Sequence, residues 1–62
     1  MALYREGTLL RDRLGDLWMI TGREAGTSRF RARYVLVRLA DSHTGTGTIR
    51  FVHRRMELVS EA

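Results

Sequence analysis

Covalent catalysis needs a nucleophile beside a base, and the side chains that could supply one here are Ser28, Ser42 and Ser60, with His43 or His53 as partner. Ser42-His43 falls within Ala40 to Gly45, a run of turn-forming types where both residues are common for turn reasons. His53 runs straight into Arg54 and Arg55 and reads as part of a basic surface. The two histidines lie ten residues apart with no clustered carboxylates, a pattern that does not build a metal site. Gly45-Thr46-Gly47-Thr48 is glycine-rich, but it lacks the lysine of a phosphate-binding loop, and no helix is expected to follow it. The expectation is a protein that is not an enzyme and carries no cofactor.

Charge is the stronger chemical signal. Eleven basic residues stand against seven acidic ones, for a net charge of +4 and a pI near 11.1, and every one of the eleven is arginine. The planar guanidinium grips phosphate bidentately and stacks on bases. Arg29, Arg31 and Arg33 alternate with Phe30 and Ala32. If extended, the three arginines project from one face about 6.6 Å apart, with Phe30 and Tyr34 nearby as stacking platforms for bases. Arg50, His53, Arg54 and Arg55 make a second basic group, interrupted by the apolar Phe51 and Val52. Two other causes yield the same composition. Arginine in place of lysine follows from GC-rich coding, and charges beside a strand also prevent edge-to-edge pairing.

These side chains must be carried by one small domain. A chain of 62 residues buries only about 60% of the surface its unfolded form exposes, so its own core supplies a thin margin of stability. Without cysteine it has neither disulfides nor thiolate metal or redox sites, which fits a cytoplasmic protein. No apolar run approaches the roughly 20 residues of a membrane span, and Met1 to Glu6 lacks the layout of a signal peptide. A hydrophobic content of 44% is that of a folded domain.

The central element is the strand Tyr34 to Leu39, rich in β-branched and aromatic residues and free of glycine and proline. Strand alternation gives Val35, Val37 and Leu39 one face and Tyr34, Leu36 and Arg38 the other. Leu17 to Thr21 is a second strong strand, with Trp18 expected to be mostly buried. Gly15-Asp16 signals a turn joining it to the segment Thr8 to Arg13 as a hairpin. Gly22 to Arg31 reads as a loop. Thr46 to His53 reads as a fourth strand, with Ile49 and Phe51 on one face and Arg50 and Val52 on the other. Arg54-Arg55-Met56 then makes one tight turn before a last strand, Glu57 to Val59. No segment shows the periodicity of a helix of normal length.

Five short strands with a long second loop and a single turn before the last strand resemble an SH3-like small barrel. Gly15-Asp16-Leu17-Trp18-Met19-Ile20 and Met56-Glu57-Leu58-Val59 carry the resemblance. Tudor-like, KOW-like and plasmid dihydrofolate reductase barrels share this layout. The reductases bear a Val-Gln-Ile-Tyr motif, whereas the nearest stretch here is Thr48-Ile49-Arg50-Phe51, without the glutamine and tyrosine. Ala2-Leu3-Tyr4 is similar to the opening of eukaryotic SH3 domains, but one tryptophan and two tyrosines do not line a groove for proline-rich ligands. The resemblance therefore implies an all-β fold rather than an activity.

The expected role is nucleic-acid binding through largely sequence-independent phosphate contacts from Arg29, Arg31, Arg33, Arg50, Arg54 and Arg55, with Phe30 stacking. The competing expectation is a protein-interaction or dimerisation module, of the kind a phage or plasmid encodes to act on a host protein. Both strong strands are apolar on both faces, with Tyr34 and Leu36 expected on the outer one. Either the 22–31 loop or a second subunit supplies the cover for that face, and a homodimer is the expectation.

Overall fold

The computed structural model describes residues 2–26 and 31–62. Five antiparallel strands form one sheet: β1 (Leu9–Arg11), β2 (Leu17–Glu24), β3 (Arg33–Arg38), β4 (Thr44–Thr48) and β5 (Glu57–Ser60). A short helix, α1 (Ile49–Arg55), joins β4 to β5. Strand order across the sheet is β4-β3-β2-β1-β5, so β4 and β5 are its edges. The fold is all-β, and among the described residues no helix is long and apolar enough to cross a membrane.

The β1–β2 hairpin forms where the turn signal lies, pairing Leu9 with Met19 and Leu10 with Trp18. Gly15 takes a φ of +86°, a left-handed conformation natural to glycine. Asp12 organises the turn from within, because its Oδ1 accepts from the backbone N–H groups of Leu14 and Asp16. Strand β2 runs on past Thr21 as far as Glu24, so the expected loop starts later. The register shift in its pairing with β3 falls between Ile20 and Gly22, and a glycine beside a bulge is a common arrangement.

Two expectations need correction. Thr46 to His53 is not one strand: the extended backbone stops at Thr48, and Ile49 onward is helical. The Thr48 hydroxyl accepts from the N–H of Phe51 and so caps the helix. Ile49, Val52, His53 and Met56 then fall on the face turned toward the sheet, at helical spacing. The second correction concerns the sheet's faces. Tyr34 is 0% and Leu36 4% exposed, and with Leu10, Ile20 and Val52 they make the core. Val35 and Val37 are half-buried on the opposite, outer face, level with Met19 and Leu9. Inside and outside are exchanged relative to expectation because α1 covers the Tyr34–Leu36 side.

Candidate nucleic-acid interface

The strands bring two stretches of chain together at one end of the sheet. Arg33 opens β3 and pairs across to Thr48, the last residue of β4. One residue further out, the Ile49 N–H donates to the Ala32 carbonyl at 3.1 Å. The segment of Arg31 and Arg33 therefore lies beside the start of α1, with Arg33 on the outer face of the sheet along with Val35 and Val37. Arg50 occupies the first turn of α1, and Arg54 follows one turn later. All four are exposed, and so is Arg23, which pairs with Tyr34 from β2. Glu24 sits opposite Arg33 as the acidic neighbour at this end.

Arg55 departs from this group. It lies four residues after Phe51 on α1, and both line a groove on a different side. Arg29 and Phe30 lie outside the described residues. Arg54 and Arg55 have a second role, since they stand with His53 in the last turn of α1, where cations complement the unpaired carbonyls of a helix terminus.

Tyr34 cannot serve as a stacking platform, because its ring is fully buried. Its hydroxyl instead ties three segments together. It accepts from the Tyr4 N–H at 2.9 Å and lies 2.9 Å from His53 Nε2. The hydroxyl donates to Nε2 or accepts from Nε2–H according to the imidazole tautomer. Tyr4 stacks on the imidazole with ring centroids 4.2 Å apart and planes 11° from parallel. Burial lowers the pKa of His53 and raises that of Tyr34, so both are held neutral.

A second cluster surrounds Trp18, which packs against the core and is mostly buried, as expected. Its indole N–H donates to Asp12 Oδ2 at 2.8 Å, the largest influence holding the Asp12 carboxyl below its usual range. The Arg38 guanidinium lies over the indole, 5.5 Å from the ring centroid, and His43 meets it edge-on. Arg38 in turn grips Asp41 with two hydrogen bonds, of 3.0 and 2.7 Å, and these bonds, ahead of the one from the His43 N–H, bring Asp41 down to about 2. Ser42, with φ +59°, makes the bend of this hairpin. Its place beside His43 is therefore a matter of turn geometry.

Between strand β4 and the β1–β2 turn runs a groove of about 630 Å³. Its floor includes Trp18 and Leu36, and Phe51 and Leu14 stand at its mouth, 54% and 85% exposed. Sequence reasoning missed this groove. Two signals for it were present: glycine at every second position of β4, and the helical spacing of Ile49, Val52, His53 and Met56 behind a Thr cap. That helix also follows Gly45-Thr46-Gly47-Thr48 directly, against expectation, although the segment has no lysine.

Set against known protein families, curated proteins and solved structures, the chain matches none of them.

Proposed function

We propose that this chain is a small cytoplasmic nucleic-acid-binding protein of SH3-like layout, gripping backbone phosphates through the arginine-rich end of its sheet. The observation that supports this most is the Ala32–Ile49 hydrogen bond. It brings the segment of Arg31 and Arg33 beside that of Arg50 and Arg54, two separate stretches of sequence, at one end of the sheet. Exposed arginines so gathered suit a run of phosphates better than a single anion. The strand order, with one helical segment before the last strand, supports the SH3-like reading. On the same reading a second copy covers the apolar outer face around Met19, Val35 and Val37.

The test is the salt dependence of binding to single-stranded DNA and RNA, with duplex DNA for comparison. Each phosphate contact on a single strand contributes about −0.7 to the slope of log affinity against log salt. Replacing Arg31, Arg33, Arg50 and Arg54 by alanine is expected to flatten that slope by up to about 2.8 and to weaken all sequences alike. Absence of binding at low salt overturns the reading. Equally tight binding to heparin reduces it to charge alone.

A further inference from the structure

The groove and the strand beside it assign a second binding site, separate from the arginine end: we infer that β4 accepts an extended peptide of a partner protein as an added sixth strand, with alternate apolar side chains entering the groove. Strand β4 is a sheet edge, and the direction of its free backbone groups follows from the ladder. Arg38 N–H donates to the His43 carbonyl at 2.8 Å and Ile49 N–H to the Ala32 carbonyl at 3.1 Å, one at each end of the β3–β4 pairing. Antiparallel pairs alternate between bonded and non-bonded. Gly45 and Gly47 are therefore the residues bonded to β3, while the N–H and C=O groups of Thr44 and Thr46 turn outward. On the far side of β3, Leu39 N–H donates to the Leu17 carbonyl, which gives the same alternation independently. Three of the usual edge defences are missing, since Thr44–Thr48 contains no charge and no proline, and its pairing with β3 has no register shift.

The groove adjoins this edge on the inner face. Gly45 and Gly47 pair with the core residues Leu36 and Tyr34, so a residue added opposite either glycine points its side chain the same way. The glycines keep that space open. A Cβ at Gly45 would come 3.4 Å from the Trp18 ring, and one at Gly47 would come 3.2 Å from Val52 Cγ2. Phe51 and Leu14 stand exposed at the mouth, ready to be covered.

Charge selects the partner's chemistry. Arg13 and Arg55 line the groove, and the one carboxylate there among the described residues, Asp12, has both oxygens engaged by the turn and by Trp18. An apolar peptide with acidic ends fits this rim on a protein of net charge +4. A second copy seated through its own β4 fits less well. Its own β4 would present only glycines to the apolar groove and would oppose arginine to arginine. Nucleic acid lacks the alternating donors and acceptors that pair with a strand edge.

The experiment titrates a capped heptapeptide, Asp-Val-Thr-Leu-Thr-Val-Asp, into the ¹⁵N-labelled protein and follows amide shifts and amide exchange. The expected result is saturable shifts at β4 and around the groove, with slowed exchange of the Thr44 and Thr46 amides. Thr46→Pro removes one outward donor at an edge position where proline is tolerated, and Phe51→Ala removes an exposed groove wall. With the sheet spectrum retained, each is expected to weaken peptide binding by about tenfold or more (about 1.4 kcal/mol) and to leave nucleic-acid affinity unchanged. The two sites therefore fail separately. The inference is overturned if no β4 shifts appear at millimolar peptide, or if a lysine-ended peptide binds equally well. Shifts at β4 that depend on protein concentration alone would give the edge to a second copy, and the same shifts with an oligonucleotide would give the groove to nucleic acid; either result overturns it.

Discussion

At the residue scale the most consequential group is His53, which the sequence offers only as one more cation in a basic run. Its ring lies between Tyr4 and the Tyr34 hydroxyl, and burial lowers its pKa from the ordinary 6.5. In the unfolded chain the imidazole takes up a proton as pH falls through 6.5, while in the folded chain it resists. The unfolded state therefore binds more protons in that window, so stability is full above pH 6.5 and declines as pH falls toward the lowered folded value. Denaturant midpoints measured from pH 8 to 5 should show this decline. His53→Gln should remove it, because a glutamine amide can donate to or accept from the Tyr34 hydroxyl but does not titrate. A separate loss is expected in stronger acid, below the ordinary carboxyl value of 3.8, where Asp12 and Asp41 lose the charge that their partners favour; His53→Gln should leave it in place. Tyr34→Phe keeps the buried ring but strands the Tyr4 N–H and the His53 nitrogen, with an expected cost of about 1–3 kcal/mol in chemical denaturation. None of this was legible beforehand, because the three partners come from positions 4, 34 and 53 and no local pattern links them. Burial of the Tyr34 ring was equally out of reach, since alternation says which residues share a face and not which face is covered.

At the scale of elements, the strands that read most clearly are the ones that form. Tyr34 to Leu39 covers β3 except for its first residue, Arg33, and Leu17 to Thr21 begins β2. Both carry β-branched and aromatic residues, and the intervening turn chemistry is local. The last segment was ambiguous for a physical reason. Over barely two turns, Ile49 and Phe51 satisfy the period of a strand as well as Ile49, Val52 and Met56 satisfy that of a helix. The deciding information lay at Thr48, where a hydroxyl can cap the helix, and in the cover that the Tyr34–Leu36 face requires. A seven-residue helix has little stability of its own, so its cap and its one buried residue, Val52, matter disproportionately. Thr48→Ala is expected to destabilise the domain by about 1 kcal/mol. It should also loosen α1 before the sheet, seen as faster amide exchange at Phe51 and Val52 than in β3. An unchanged midpoint and unchanged exchange at Phe51 would show that packing alone holds the helix.

At the scale of the whole molecule, the described residues form two apolar sheet faces and a single short α-helix. The inner face holds the entire core of Leu10, Ile20, Tyr34, Leu36 and Val52. The outer face leaves Leu9, Met19, Val35 and Val37 half-buried, with Leu39 and Val59 exposed. That the strands are apolar on both sides was legible in the sequence, and only the assignment of inside and outside was reversed. The reversal sharpens the test of whether a second copy covers the outer face. Leu36 and Val37 are neighbours on β3 with opposite orientations, so the same substitution should give opposite results. Leu36→Glu puts an unpaired charge into the core and is expected to unfold the domain. Val37→Glu puts the charge at a half-solvated surface of the monomer, where it costs little, but into a desolvated contact if two outer faces meet. The expected outcome for Val37→Glu is a monomeric mass by sedimentation at tens of micromolar with the sheet spectrum intact, against a dimeric mass for the parent chain. A parent chain that is monomeric across that concentration range removes the dimer. The half-burial of Met19 and Val37 would then be what neighbouring side chains on one sheet give each other, and the nucleic-acid and β4-edge readings would stand without it.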